Sequence, residues 1–129
     1  MRIKLNSIFV DDQSKALSFY TEILGFVPSQ DIPVGEFRWL TVRSPEGGET
    51  ELALEPNANP AAKEYQEALF VQGIPLTAFE VADVKAEFQK LRAQGVEFTT
   101  EPMQAGPVWI AVFSDTCGNL IQIYEPPEA

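Results

Sequence analysis

Apolar positions along the chain alternate over a short run, change to a three-to-four residue spacing, and repeat both patterns some seventy residues later. Leu5 to Val10 alternates as a strand does. Asp11 and Asp12 then offer N-cap oxygens to a helix whose apolar positions run to about Leu24, where Gly25 stops it. Leu76 to Val96 has the same layout, with a strand, a capping Asp83, a helix and a terminating Gly95. The pattern L-x-x-x-x-V-x-D occurs at Leu5/Val10/Asp12 and again at Leu76/Val81/Asp83, and Leu17 and Tyr20 answer to Phe88 and Leu91. A spacing of 71 residues at the start, and of 70 from Gly25/Gly95 onward, predicts one fold unit used twice.

Each strand–helix pair leads into further strands. Val27 to Gly35, broken by Pro28 and Pro33, reads as a loop or a broken edge strand. Glu36 to Arg43 alternates with Leu40 and Val42 on one face and Trp39 and Thr41 on the other, Ser44 to Gly48 is a turn, and Thr50 to Glu55 is a strand with Leu52 and Leu54 as its apolar face. In the second copy a loop carrying Pro102, Gly106 and Pro107 leads into a strand from Val108 to Phe113. At a spacing of 70, Trp39 then answers to Trp109, Leu40 to Ile110 and Val42 to Val112. Asp115 to Asn119 mirrors the first turn, and Leu120 to Tyr124 is the last strand. Between the copies, Asn59 and Pro60 open a short helix that ends at Gly73, with Tyr65, Leu69 and Phe70 as its apolar stripe. One domain over residues 1–129 is expected, with module one at about 3–56, a linker helix at about 57–74 and module two at about 75–127.

A chain of 129 residues supports a single sizeable core, so the two copies must share it. No long apolar run and no basic leader precede the first strand, which predicts a cytoplasmic protein without a membrane span or secretory signal. Single Cys117 has no partner for an internal disulfide. The net charge of −10 opposes nucleic acid and anionic membrane surfaces and leaves a neutral or cationic small molecule as the natural partner.

The chain contains no histidine, which removes the Ser-His and Cys-His constellations of nucleophilic catalysis. Carboxylates remain as acid/base groups. Glu51, Glu55 and Glu80 alternate onto the strand faces opposite the helices, where a desolvated Glu51 would be the candidate base and solvated sheet ends are the plainer reading. The same faces offer Ser7, Phe9, Trp39, Thr41, Trp109, Gln122 and Tyr124 as ligand contacts, alongside Leu5, Leu76 and Ala78. Trp39 and Trp109 would either sandwich a flat or cationic ligand or pack in the core or at an interface. Arg38 and Arg43 flank Trp39 and would hold a carboxylate or phosphate, or simply face water.

F-Y-x-x-x-L-G-F (Phe19, Tyr20, Leu24, Gly25, Phe26) closing the first helix, and D-x-x-G-N (Asp115, Gly118, Asn119) before the last strand, resemble the vicinal oxygen chelate superfamily of glyoxalase I, extradiol dioxygenases, fosfomycin-modifying enzymes and bleomycin-resistance proteins. The resemblance spans essentially the whole chain. It implies an α+β fold in which two βαβββ modules form a curved mixed-sheet half-barrel with helices outside, its cavity completed by a second copy in a homodimer. It further implies a divalent metal held by first and last strands of each module, positions that fall on Leu5, Ala53, Leu76 and Gln122 here. Three aliphatic side chains and one amide are no ligand set for a divalent ion, so neither metal nor other cofactor is expected. The expectation is a metal-independent binding protein that holds a cationic or aromatic small molecule. The alternative is a glyoxalase-like lyase or isomerase working through Glu51 and Gln122 or a buried Glu.

Overall fold

Asp12 and Asp83 are the points at which each module turns from strand to helix. In the computed structural model, which describes residues 1–127, β1 (Leu5–Val10) leads into α1 (Gln13–Ser18), and the Asp12 carboxylate accepts the Lys15 N–H at 3.0 Å. The helix does not run on as α to Leu24. Phe19–Ile23 winds as a π-helical turn, closed by the Leu24 N–H on the Phe19 carbonyl at 3.1 Å, and it accompanies burial of the consecutive Phe19 and Tyr20. β2 (Val27–Val34), β3 (Phe37–Arg43) and β4 (Glu51–Pro56) complete the first module. After α2 (Pro60–Val71) come β5 (Thr77–Glu80), α3 (Val84–Ala93), β6 (Phe98–Ala105), β7 (Val108–Ser114) and β8 (Leu120–Glu125). The sheets have matching orders, β1-β4-β3-β2 and β5-β8-β7-β6, with β1 parallel to β4 and β5 parallel to β8. This is the expected pair of βαβββ modules.

Two proline-bearing stretches resolve in favour of strands. Val27–Val34 is an edge strand, and the stretch carrying Pro102, expected as a loop, is the edge strand β6. An edge position leaves one side of the strand without a ladder partner, so a missing proline N–H is tolerated there, and the register slips at Pro28/Gln30 and again at Thr100/Met103.

The helix faces of both sheets meet in one core. Ile8, Val10, Leu40, Val42 and Leu54 from the first module cluster with Ala111, Phe113, Ile121 and Ile123 from the second. Rings cross between modules, Phe19 lying 6.2 Å from Phe113 and Tyr20 lying 6.4 Å from Phe79. At this junction the Tyr20 hydroxyl donates to Asp115 Oδ2 at 2.7 Å, and the same carboxylate accepts from the N–H groups of Cys117 and Asn119 and from Asn119 Nδ2. Asn119 Nδ2 also reaches the Phe9 carbonyl at 2.8 Å, tying β8's turn to β1.

The linker helix turns a different side inward from the one its apolar stripe indicates. Ala62 and Gln66 are its buried residues, while Tyr65 and Phe70 are 54% and 41% exposed. Hydrogen bonding decides this. Gln66 Nε2 lies 3.0 Å from the Phe9 carbonyl, the Cys117 carbonyl and Asn119 Oδ1, and Oε1 accepts from Asn57 Nδ2 at 2.8 Å. Among the described residues no buried side-chain N or O atom lacks a partner, so the network is complete.

Asp115→Ala strands the Tyr20 hydroxyl and two backbone N–H groups, each costing roughly 1–3 kcal/mol when buried without a partner. We expect a loss of about 3 kcal/mol or more in urea unfolding. Tyr20→Phe, which leaves Asp115 its other three donors, should cost about half as much.

Candidate functional site

Cross-strand partners share a face of a sheet, so the register sorts every strand residue into the helix side or the open, concave side. On the first sheet, Leu5 pairs with Glu51, Ser7 with Ala53 and Phe9 with Glu55, while Thr41 pairs with both Ala53 and Gln30. None of these belongs to the core cluster, whose members Ile8, Leu54, Leu40 and Val42 alternate with them. Trp39 therefore shares the concave face with Thr41. On the second sheet, Ala78 pairs with Gln122 and Gln122 with Val112, while Glu80 pairs with Tyr124 and Tyr124 with Ile110. Ser7, Phe9, Trp39, Thr41, Gln122 and Tyr124 thus lie on concave faces, as do Glu51, Glu55 and Glu80.

Trp109 does not. It is in register with Glu125 and alternates with Ile110, which puts it with Ala111 and Phe113 on the helix side, packed on the core. There the Lys85 ammonium sits 3.9 Å from the centre of its ring. The spacing between β3 and β7 is 71, not 70: Thr41 opposite Ala53 corresponds to Val112 opposite Gln122, so Trp39 answers to Ile110 and Trp109 to Arg38. A one-residue slip in an alternating strand reverses the face of every side chain, and the Trp39/Trp109 sandwich is excluded on that ground. Arg38 likewise points to the helices. Its guanidinium makes a bidentate pair with Asp31 at 2.7 and 2.9 Å and donates to Ser14 Oγ at 2.8 Å, which satisfies it internally.

Glu51 is the candidate base, and its surroundings argue against that role. Hydrogen bonds from Thr41 and Ser29, with smaller help from Lys4 and Arg43, hold its carboxyl below the usual range, which makes it a weak base. Thr41 is itself fixed, its hydroxyl oxygen accepting the Gln30 N–H at 3.1 Å. Trp39 Nε1–H donates to Gln30 Oε1, so its indole is anchored at the edge and presents its ring faces. Cys117 is fully buried, and burial, reinforced by the charge of Asp115, pushes its thiol up to about 12.

Leu5, Ala53, Leu76 and Gln122, the positions a metal would require, supply one amide oxygen between them. Among the described residues no group of three His, Cys, Asp or Glu side chains converges. This donor set does not fit a divalent ion. A cleft of about 460 Å³ lies between α3, β6 and the end of α2, another of about 370 Å³ lies beside α2, they share Phe70, and neither is lined by any of the expected ligand residues.

A family model described as the Glyoxalase/Bleomycin resistance protein/Dioxygenase superfamily matches residues 2–123. The chain is 57% identical over 126 residues to YurT of Bacillus subtilis (strain 168), covering 97% of this chain and 99% of that one. Among solved structures it is similar to UcmS2, with 32% identity and a TM-score of 0.83 over 96% of this chain and 97% of the other. TnmS3, an antibiotic binding protein from Streptomyces sp. CB03234, is 31% identical with a TM-score of 0.78 over 98% and 96%.

Three outcomes follow from the electrostatics. Thr41→Val removes the strongest donor to Glu51, and the carboxyl should titrate closer to the ordinary glutamate range in a carbon-13 NMR pH series. Cys117 should resist a disulfide reagent in the native protein and react as one thiol once denatured. Because Cys117 and Tyr20 both keep their protons in the fold beyond the pH at which the unfolded chain releases them, stability should decline as pH rises above about 9.

Proposed function

The chain belongs to the glyoxalase/bleomycin resistance protein/dioxygenase superfamily, and on that premise we propose that it is a metal-independent, cytoplasmic small-molecule binding protein that works as a homodimer. The observation that carries this reading is the replacement of the metal positions by Leu5, Ala53 and Leu76, leaving Gln122 alone, on concave faces that still present ligand-contacting side chains. Ser7, Phe9, Trp39, Gln122 and Tyr124 are the contacts, with Thr41, buried and bonded to Glu51 and the Gln30 N–H, supporting them from behind. Phe9, Trp39 and Tyr124 provide stacking surface, and Ser7 and Gln122 provide hydrogen bonds that orient the ligand.

Support comes from two sides. TnmS3, 31% identical across nearly the whole chain, is an antibiotic binding protein, so the same fold at comparable size serves ligand capture. The open concave faces also leave apolar residues in water, Leu5 at 43% and Ile32 at 52% exposed among them, which a second copy would cover while enclosing the cavity. A net charge of −10 raises the local concentration of cations over anions at that cavity. Against the lyase or isomerase alternative stands the environment of Glu51, whose carboxyl is held below the usual range and is a weak base.

Elemental analysis, with thermal melts in manganese, nickel, zinc and iron, should show neither stoichiometric metal nor a raised Tm. Sedimentation should give about twice the 14.3 kDa chain mass. A small-molecule panel should yield a saturable binder, which at a hundred times its Kd stabilises by about 2.7 kcal/mol. Stoichiometric metal with a raised Tm would overturn the proposal.

A further inference from the structure

The two sheets share a topology but differ at one seam. In the second module the β7/β8 ladder runs unbroken from Ser114 opposite Leu120 to Trp109 opposite Glu125. In the first module the β3/β4 ladder covers only Arg43 with Glu51, Val42 with Leu52 and Thr41 with Ala53. The position corresponding to Trp109/Glu125 is Arg38/Pro56. Proline has no N–H, so it cannot answer the Arg38 carbonyl, and the ladder cannot continue there.

Gln13, at the start of α1, fills the break. Its Nε2 donates to the Arg38 carbonyl at 2.7 Å and to the Leu54 carbonyl at 2.8 Å, and its Oε1 accepts the Arg38 N–H at 3.1 Å. Gln13 is buried, so an amide stands between β3 and β4 where a direct backbone bond would otherwise draw them together. Two hydrogen bonds in series through an amide span more distance than one. The corresponding residue in the second module is Val84, fully buried and without a polar side-chain atom, and there the seam is closed.

The concave side of this open seam has a distinctive lining. Phe9 and Glu55 are opposite one another on β1 and β4, and Trp39 stands across the gap on β3, all three half-buried. The indole N–H is already bonded to Gln30, so Trp39 offers ring faces and no donor. The corresponding positions of the second sheet are Glu80, Tyr124 and Ile110, across a closed ladder.

We propose that the Phe9–Glu55–Trp39 seam is the subsite for a flat cationic group of the ligand, and that Gln13 and Gln30 are the positioning residues that hold it open and orient its stacking ring. This rests on the binding-protein reading above and specifies the ligand class. Aromatic faces attract a cation through their quadrupole, and a carboxylate between two such faces supplies the opposite charge that favours a cation over its neutral analogue.

The test uses the intact protein, N-methylacridinium as the flat cation and acridine in mildly alkaline buffer as its uncharged analogue, with tryptophan fluorescence as readout. The wild type should bind the cation saturably and about tenfold more tightly than the neutral ring. Glu55→Gln should bring that ratio close to one while leaving acridine binding unchanged, and Trp39→Ala should weaken both probes about tenfold. Gln13→Val, which copies the second module, should lower affinity for both. If that variant does not fold, the substitutions at Glu55 and Trp39 decide. Absence of saturable cation binding, equal affinity for both probes, or a ratio unmoved by Glu55→Gln would overturn the inference. A panel ligand indifferent to both Glu55→Gln and Trp39→Ala would overturn the seam and leave the binding-protein reading standing.

Discussion

Two units that each present one apolar sheet face can become a single domain only by burying those faces against each other, and the contact that organises the burial is polar. Tyr20 reaches across 95 residues of sequence to donate to Asp115 at 2.7 Å. Asp115 in turn holds the turn before β8 through the N–H groups of Cys117 and Asn119. A buried carboxyl group in this position is tolerated because four donors converge on it, and the loss of any one leaves a polar group inside the core incompletely paired. From here Asn119 and Gln66 extend the network to Phe9 and Asn57, so β1, α2 and β8 meet at one polar joint. Apolar packing supplies the mass of the core, and this joint ties the Phe19–Ile23 turn of the first module to the turn before β8 of the second.

The helix side takes up most of the buried aromatic and branched residues, and the opposite faces carry a mixture of ring, aliphatic, hydroxyl, amide and carboxylate groups. The two faces are not equivalent. The first sheet carries Glu51, Glu55, Thr41 and Trp39, while the second answers with Leu120, Tyr124, Val112 and Ile110 in the corresponding register. A duplicated fold has become a chemically one-sided one. Its most pronounced asymmetry is the seam where Pro56 ends a ladder that Glu125 continues.

The sequence carried the order of the elements other than β6, the caps at Asp12, Asn59 and Asp83, the turns and the family resemblance, because each rests on local chemistry: a side-chain oxygen within three residues, a glycine at positive φ, or alternation over six residues. The faces of β1, β4 and β8 were legible for the same reason, since Ala53 and Gln122 sit between branched residues that can only point inward. The π-helical turn at Phe19–Ile23 had no such local signal. The strand nature of β6 was hidden because proline is excluded from central strands, and only the finished sheet shows that β6 lies at an edge.

What the sequence by itself determined is therefore a strand–helix–strand unit used twice around a single shared core, and a resemblance whose metal positions fall on Leu5, Ala53, Leu76 and Gln122. Tertiary structure decided which residues look at each other across strands. Trp109 could be placed opposite the core or within it by moving the alignment one residue, and only the pairing of Val112 with Gln122 settles that it is within. Gln66 and Gln13 were silent for a related reason. A glutamine's role depends on which backbone groups elsewhere lack partners, and those gaps come into existence only when the strands that leave them are brought together.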